Sequence, residues 1–416
     1  MAVHALVFAL AIPVQLLIEA DALTFHRMAV QFLETGGFVE QQRQPLYPIA
    51  MAGALRIGGE RGLDLLIAVQ VLASYLTGAM AWRMSRQWLT EVGAAAVFAL
   101  VILNPSAVAL AHWPLADTLH ALLFTASVWA LLGFARDTQM WQAAATGLAI
   151  GLAALTRPEA QFLLYVLPLA LPLAAIVTVP GRLRSPLVLT SGCVAATLAI
   201  AVSLPWVLQV RGAGDAFVLS SAAKTLENVR GHFALIEAAR TGEAQAVVID
   251  RLMAEEPTDG LTPEHYIRRI FSSDPKILVN LFATAWLAQF ASGGGQSLNR
   301  LLDVAFDRPD KILNQPDPIS EFFSTLRGQS LAGVSITLLT VGFAVVLRAF
   351  GLVGLVVLVA RKYWVLVLVI VALLAFKGGV HLFYGLARYR LSVEPLLMML
   401  AVFGWQGLRS TKLGFR

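Results

Sequence analysis

Two carboxylates, Glu19 and Asp21, follow directly on the apolar run Ala2–Ile18. A charge where a chain should leave hydrocarbon is costly unless it faces water, a partner or a substrate. Similar groups recur at the ends of later apolar runs. Asp117 has His112 and His120 close by in sequence. Arg157 and Glu159 sit in Thr156-Arg-Pro-Glu, and Arg388 and Arg390 in Ala387-Arg-Tyr-Arg, with Lys377 and His381 leading up to them. A guanidinium binds phosphate oxygens through paired, charge-assisted hydrogen bonds. A carboxylate can take the proton from an attacking hydroxyl. A departing phosphate needs positive charge where its negative charge develops. Taken together, these groups suit group transfer from a lipid-carried phosphate, its tail lying in an apolar groove between membrane spans.

Each residue also has a plainer reading. Asp21 and Asp117 could cap the helices they begin. Arg157 could sit in a structural ion pair, and Arg390 and Lys377 could reach along apolar surface to the membrane interface. Tyr47 and Tyr389 are pocket candidates of a type common at interfaces. His26, His112 and His120 read as hydrogen-bonding interface residues. Hard cations take carboxylates, so a divalent metal between Glu19 and Asp21 is chemically open. No third ligand is evident, so a metal is not favoured and no cofactor is assigned.

The elements that must position these residues are membrane spans. Of the 416 residues, 58% are apolar and 14% charged, against about a quarter charged in soluble domains. The net charge of +5 is no sign of nucleic-acid binding, because much of the basic charge lies in short turns between apolar runs, where it sets topology. The single cysteine, Cys193, excludes an intramolecular disulfide and a cysteine-based zinc site. Ten apolar runs of spanning character lie at roughly 2–18, 63–82, 92–112, 116–135, 141–156, 160–179, 187–208, 331–359, 363–384 and 391–408. The first lacks the basic start and cleavage site of a signal peptide and reads as a retained span. The eighth contains Arg348 and reads as one tilted span. Arg83, Arg86, Arg136, Arg182, Arg184, Arg361 and Lys362 fall on one side if the N-terminus is cytoplasmic. The acids and arginines above then collect on the opposite side.

The pattern predicts an all-α integral membrane protein with about ten transmembrane helices and two extracytoplasmic loop regions carrying interfacial helices. Residues 1–208 hold spans one to seven, including the outer loop 19–62. Residues 209–328 form a helical extracytoplasmic region, and 329–416 hold the last three spans. In the first loop Phe25, Met28, Ala29, Phe32 and Leu33 make a one-sided stripe, ended by Gly36-Gly37. Pro45 and Pro48 then bracket a stiff turn around Tyr47. In the second region helical patterns cover 234–252, 265–270 and 277–290.

Several pieces, in order, resemble the GT-C membrane glycosyltransferases of the superfamily containing protein O-mannosyltransferases and bacterial aminoarabinose transferases. They are Glu19-Ala-Asp21, a helix, Gly36-Gly37-Phe38 and Gln44-Pro-Leu-Tyr-Pro48; His112-Trp-Pro-Leu-Ala-Asp117; Leu155-Thr-Arg-Pro-Glu159; Leu204-Pro-Trp-Val-Leu-Gln-Val-Arg211; and Ala387-Arg-Tyr-Arg-Leu-Ser-Val-Glu-Pro395. The resemblance covers nearly the whole chain. It implies a GT-C-like bundle, a polyprenyl-phosphate sugar donor, inversion at the anomeric carbon and a catalytic aspartate in the first outer loop. Asp21 matches that aspartate. The family's adjacent acidic pair is absent, because Ala20 separates Glu19 from Asp21.

The expectation is a glycosyltransferase of the cell membrane, a bacterial inner membrane, with its site on the extracytoplasmic side. Asp21, Glu19 and Asp117 are its catalytic candidates. Arg388, Arg390, Lys377 and Arg157 are candidates for the donor phosphate, and Tyr47 and Tyr389 for the pocket. The acceptor is a lipid, glycan or protein, the remaining partners are membrane lipids, and nucleic acid is not among them. A lipid-linked glycan ligase or polymerase is the alternative. A transporter is disfavoured, because the chain shows no internal repeat and its polar set keeps to one face.

Overall fold

The computed structural model describes residues 2–38, 43–179, 181, 185–211, 222–254, 262–304, 323–324, 326–327 and 329–409. Helices account for the regular structure among them, with no strand. The first apolar run is not one helix. α1 (Ala2–Leu10) stops after nine residues, and a 3-10 turn follows at Val14–Leu17. Pro13 between them is extended, with ψ 132°. Proline has no N–H to give and clashes with the preceding turn, so the helix cannot run through it. The break is tied down where the Ile12 N–H donates to the Leu301 carbonyl at 2.9 Å.

α2 (Ala20–Thr35) is the predicted first-loop helix. Phe25, Met28 and Ala29 of the apolar stripe are buried. Gly36 ends the helix at φ 73°, its N–H bonded to the Phe32 carbonyl, a left-handed cap that glycine adopts without steric cost. The expected stiff turn at Pro45–Pro48 is instead the start of α3 (Leu46–Gly58). Pro45 precedes the helix and Pro48 lies in its first turn, where a missing N–H breaks no intrahelical bond. The chain reverses at Gly59–Arg61 into α4 (Gly62–Ser85). The two helices pack so closely there that a Cβ on Gly62 would stand 2.5 Å from the Leu55 Cα.

α5 (Glu91–Ile102) and α6 (Pro105–Ala111) meet at a 52° bend. Asn104 caps the second of them by accepting the Ser106 N–H at 2.9 Å. α7 (Asp117–Asp137) and α8 (Met140–Ala154) follow, then a turn at Pro158–Ala160, short α9 (Gln161–Leu164), α10 (Leu167–Thr178) and α11 (Pro186–Arg211). α12 (Ala222–Thr241), α13 (Gln245–Ala254) and α14 (Pro263–Phe271) enclose a small core of Phe233, Ala234, Val248, Leu252 and Tyr266. The predicted helix 234–252 is thus two helices, parted at Gly242 with φ 76°. α15 (Pro275–Ala291) and α16 (Gly295–Leu301) are joined at a 54° bend.

α17 (Leu331–Ala360) is a single helix of 30 residues through Arg348. α18 (Trp364–His381), a 3-10 segment (Ala387–Val393) and α19 (Glu394–Arg409) complete the described chain. α17 and α19 cross on glycine: Cβ atoms on Gly354 and Gly404 would fall 1.9 Å from the carbonyl oxygens of Leu400 and Phe350. This crossing belongs to the largest apolar core, with Leu358, Leu366, Ile370, Met398 and Phe403.

The result is an all-α membrane protein. Among the described residues six helices are long and apolar enough to cross a membrane, or up to nine if each bent pair is one span. The difference from ten has local causes. Pro13 divides residues 2–18, and the run at 141–156 is a helix of only 15 residues. In the other direction, α15 with α16, expected outside the membrane, is apolar enough to count as a bent span.

Candidate active site

A cavity of about 500 Å³ opens between the starts of α2 and α7, the Thr156–Glu159 turn, one side of α12 and the stretch from the end of α18 to Tyr389. Three carboxylates (Asp21, Asp117, Glu159) and three guanidiniums (Arg43, Arg157, Arg388) line it. Asp21 lies in the first turn of α2 and Asp117 begins α7, places where the helix dipole favours negative charge.

Asp21 is held from both sides. Arg43 donates to Oδ1, and Arg388 donates to Oδ2 at 2.7 Å. Asp117 accepts from Arg157. The Arg157 and Arg388 guanidinium carbons lie 5.2 and 5.4 Å from the centre of the Tyr389 ring, so one aromatic ring steadies two cations. The His381 ring stacks on Tyr389 with centres 3.9 Å apart and planes 3° from parallel.

Glu159 joins the cavity wall to α18. Its carboxylate accepts from Lys377, which is 0% exposed. His381 Nε2 is 2.5 Å away and His120 Nε2 3.0 Å. Arg157 Nε is at 3.7 Å. A lysine buried to this degree is retained as a charge only with such a partner. On the α12 side, His232 packs against Tyr384 with ring centres 4.5 Å apart. Burial, with a smaller push from His381, lowers the His232 pKa to about 4. Burial, and then Tyr389, raises the Tyr384 phenol to about 12. Both rings are therefore neutral near pH 7.

Of the residues singled out in the sequence, Asp21, Asp117, Arg157, Arg388 and Tyr389 share this cavity, with Lys377 directly behind Glu159. Three lie elsewhere. Glu19 faces away, its carboxylate 3.4 Å from Arg300 and lining a different cavity. Ala20 takes φ 48°, a left-handed turn that is strained for a residue with a Cβ. That turn sends neighbouring acids in different directions. Tyr47 is buried and donates to Gln70 at 2.6 Å, and Gln70 donates in turn to the Trp113 carbonyl at 2.8 Å. It ties α3 to α4 and the α6–α7 turn rather than lining the cavity. Arg390 is 1% exposed and spends its donors on Glu394 and the Gln289 carbonyl.

The sequence places Glu159 and His381 beside the arginines without giving them a role, and Arg43 and His232 are not among its candidates. A signal existed for the first two. Lys377 and His381 are four apart and so share a helix face, which asks for a carboxylate opposite; Glu159, two residues from Arg157, is that carboxylate. Nothing in the sequence pointed to Arg43 or His232. Among the described residues no cluster of His, Cys, Asp or Glu side chains is arranged to hold a metal ion.

Residues 42–206 match the family described as dolichyl-phosphate-mannose-protein mannosyltransferase. The matched stretch contains Arg43, Asp117, Arg157 and Glu159. Two similar solved structures are both ArnT from Cupriavidus metallidurans. The form bound to undecaprenyl phosphate is 16% identical, with 92% of this chain and 72% of that chain covered and a TM-score of 0.37. The apo form is 15% identical, with 91% and 71% covered and a TM-score of 0.38. A search of curated proteins gave no match. The family match, over residues 42–206, agrees with the resemblance to the GT-C membrane glycosyltransferases.

Proposed function

We propose that this multi-pass membrane protein moves a sugar from a polyprenyl-monophosphate carrier to an acceptor hydroxyl, at the extracytoplasmic face of a bacterial inner membrane. The observation that carries the reading is the meeting of Asp21 and Arg388, 367 positions apart, at 2.7 Å in a cavity they share with Arg157 and Tyr389. The matched family is described by a prenyl-phosphate sugar, and one similar solved structure holds undecaprenyl phosphate.

In this mechanism the donor phosphate docks on Arg388 and Arg157. Arg388 exchanges Asp21 for phosphate oxygens in the bidentate geometry a guanidinium allows, while Arg157 stays on Asp117 and turns its remaining N–H groups to the phosphate. Drawing Arg388 away leaves one oxygen of Asp21 able to accept a proton. The acceptor oxygen then attacks the anomeric carbon from the face opposite the phosphate. A C–O bond forms there as the C1–O bond to phosphate breaks, and the configuration inverts. The acceptor proton goes to Asp21. The bonding pair leaves with polyprenyl phosphate, whose charge the arginines stabilise. Asp117 acts by holding Arg157. Lys377 acts through Glu159, which fixes Arg157 and His381. α12, from the 209–328 region, covers the cavity and limits entry of water.

The test is mass spectrometry of surface glycans and lipid extracts from a strain lacking the gene. The reading expects one sugar substituent to vanish while its polyprenyl-phosphate form accumulates. Unchanged glycans and an unchanged lipid pool would refute it.

A further inference from the structure

Each carboxylate of the active-site cavity is already committed to a cation. Asp21 holds Arg43 and Arg388, and Asp117 holds Arg157. Glu159 holds Lys377, with Arg157 Nε at 3.7 Å. With neutral imidazoles, four cations therefore meet three carboxylates around this cavity. A prenyl-phosphate sugar is a phosphodiester, and its one negative charge balances that excess. A charge on the sugar itself would disturb the balance. An amino sugar would bring a cation where every carboxylate among the described lining residues already has one. A uronate would bring a second anion after the excess is neutralised. Taking a charge out of water without a partner is costly.

The α12 side of the same cavity offers polar groups without charge. Thr225, Asn228, Val229 and His232 line it, beside Tyr384. Their spacing of three, four and seven residues puts them on one helix face. Glu227 and Arg230 of that helix do not line it. α12 is fixed against Tyr384: a Cβ on Gly231 would collide with the Tyr384 hydroxyl, and His232 packs on its ring. Gln245 donates to the Gly231 carbonyl at 3.1 Å. Asn228 lies one turn before His232, about 6 Å along the helix axis. It is exposed, and its amide has no hydrogen bond among the described residues. An amide offers two donors and an acceptor, which suits hydroxyls that both give and take hydrogen bonds. This amide opens into the cavity that also holds Asp21 and Arg388. We propose that the transferred sugar is uncharged and that Asn228 is a specificity-determining residue that reads its hydroxyls. The inference rests on the function proposed above, because it takes the bound sugar to be the donor's.

The test is titration calorimetry on the full chain in lipid nanodiscs. The probes are methyl neryl phosphate, a phosphodiester without sugar, and neryl phosphodiesters of mannose, glucose, galactose, arabinose, 4-amino-4-deoxyarabinose and glucuronic acid. At least one uncharged sugar is expected to bind about tenfold more tightly than methyl neryl phosphate, the contribution of one good hydrogen bond. The amino sugar and the uronate are expected to bind no more tightly than methyl neryl phosphate. Asn228→Ala is expected to remove the gain and leave the Kd of methyl neryl phosphate unchanged. Asn228→Asp adds the missing carboxylate and is expected to shift the preference towards the amino sugar, which a merely structural role for Asn228 would not do. Tightest binding by either charged sugar, no gain from any uncharged one, or a gain that survives Asn228→Ala would overturn the inference and leave the phosphate site standing. Failure of methyl neryl phosphate to bind, or binding that Arg388→Ala does not weaken, would overturn the donor reading and this inference with it.

Discussion

Arg388 and Arg390 are the same residue type, two positions apart, in two different kinds of place. Arg388 reaches Asp21 in the cavity with 27% of its side chain exposed. Arg390 is sealed among helices at 1%. There it bonds Glu394, which also accepts from Arg348 at 2.6 Å, while Arg348 reaches the Phe290 carbonyl at 3.2 Å. Arg390 additionally reaches Ser292 Oγ at 3.3 Å and Ser106 Oγ at 3.4 Å. One cluster therefore stitches α6, α15, α17 and α19 together. The other faces an opening where a ligand can exchange partners. The backbone explains the divergence: residues 387–393 form a 3-10 segment, and with three residues per turn, neighbours two apart point to different sides. The two clusters share their chemistry. Access separates a charge that can do work on a substrate from one that fixes the frame.

Breaking the sealed cluster should have the largest effect. Arg390→Ala empties the space of a fully buried side chain, takes one of two cations from Glu394 and removes the donor to the Gln289 carbonyl, a loss of about 2–5 kcal/mol. The expected outcome is little monodisperse protein and a sharply lowered melting midpoint in detergent. Arg388→Ala should separate the two regions cleanly. Loss of one charge-stabilising donor typically costs about 10²–10³ in rate, so transfer should collapse while the melting midpoint stays close to that of the unaltered protein. Equal damage to stability from both substitutions would erase the distinction.

A smaller effect sharpens the boundary at α12. His232 has a folded pKa of about 4 against an ordinary 6.5. Above pH 6.5 both folded and unfolded chains hold it neutral, and it adds no pH dependence. As pH falls from 6.5 toward 4 the unfolded chain takes up the proton first, so the folded state loses stability over that window. The melting midpoint should drop between pH 7 and pH 5, and His232→Gln should shrink that drop. A drop of unchanged size would remove His232 from the account.

The sequence made the general plan readable. Asp21, Asp117, Arg157 and Arg388 each end an apolar run, and hydrophobicity alone puts such ends near one another at a membrane face. What it concealed was direction. Nothing in Glu19-Ala-Asp21 announces the left-handed turn at Ala20, and nothing in Ala387-Arg-Tyr-Arg announces a 3-10 segment. Tyr47 was legible as an aromatic near the site, but its bond to Gln70 depends on α3 beginning at Leu46, and the flanking prolines read equally as a turn. The same ambiguity hid the break at Pro13. Arg43 and His232 enter the site from loop and helix positions with no periodic signature, and only tertiary packing brings them in.

The central claim is that Asp21 takes the acceptor proton in the open cluster. Its most direct test is the initial rate of sugar transfer by Asp21→Asn in nanodiscs, beside its melting curve. The account predicts a rate lower by about 10²–10⁴-fold with a melting midpoint near that of the unaltered protein. Transfer at the full rate would contradict it.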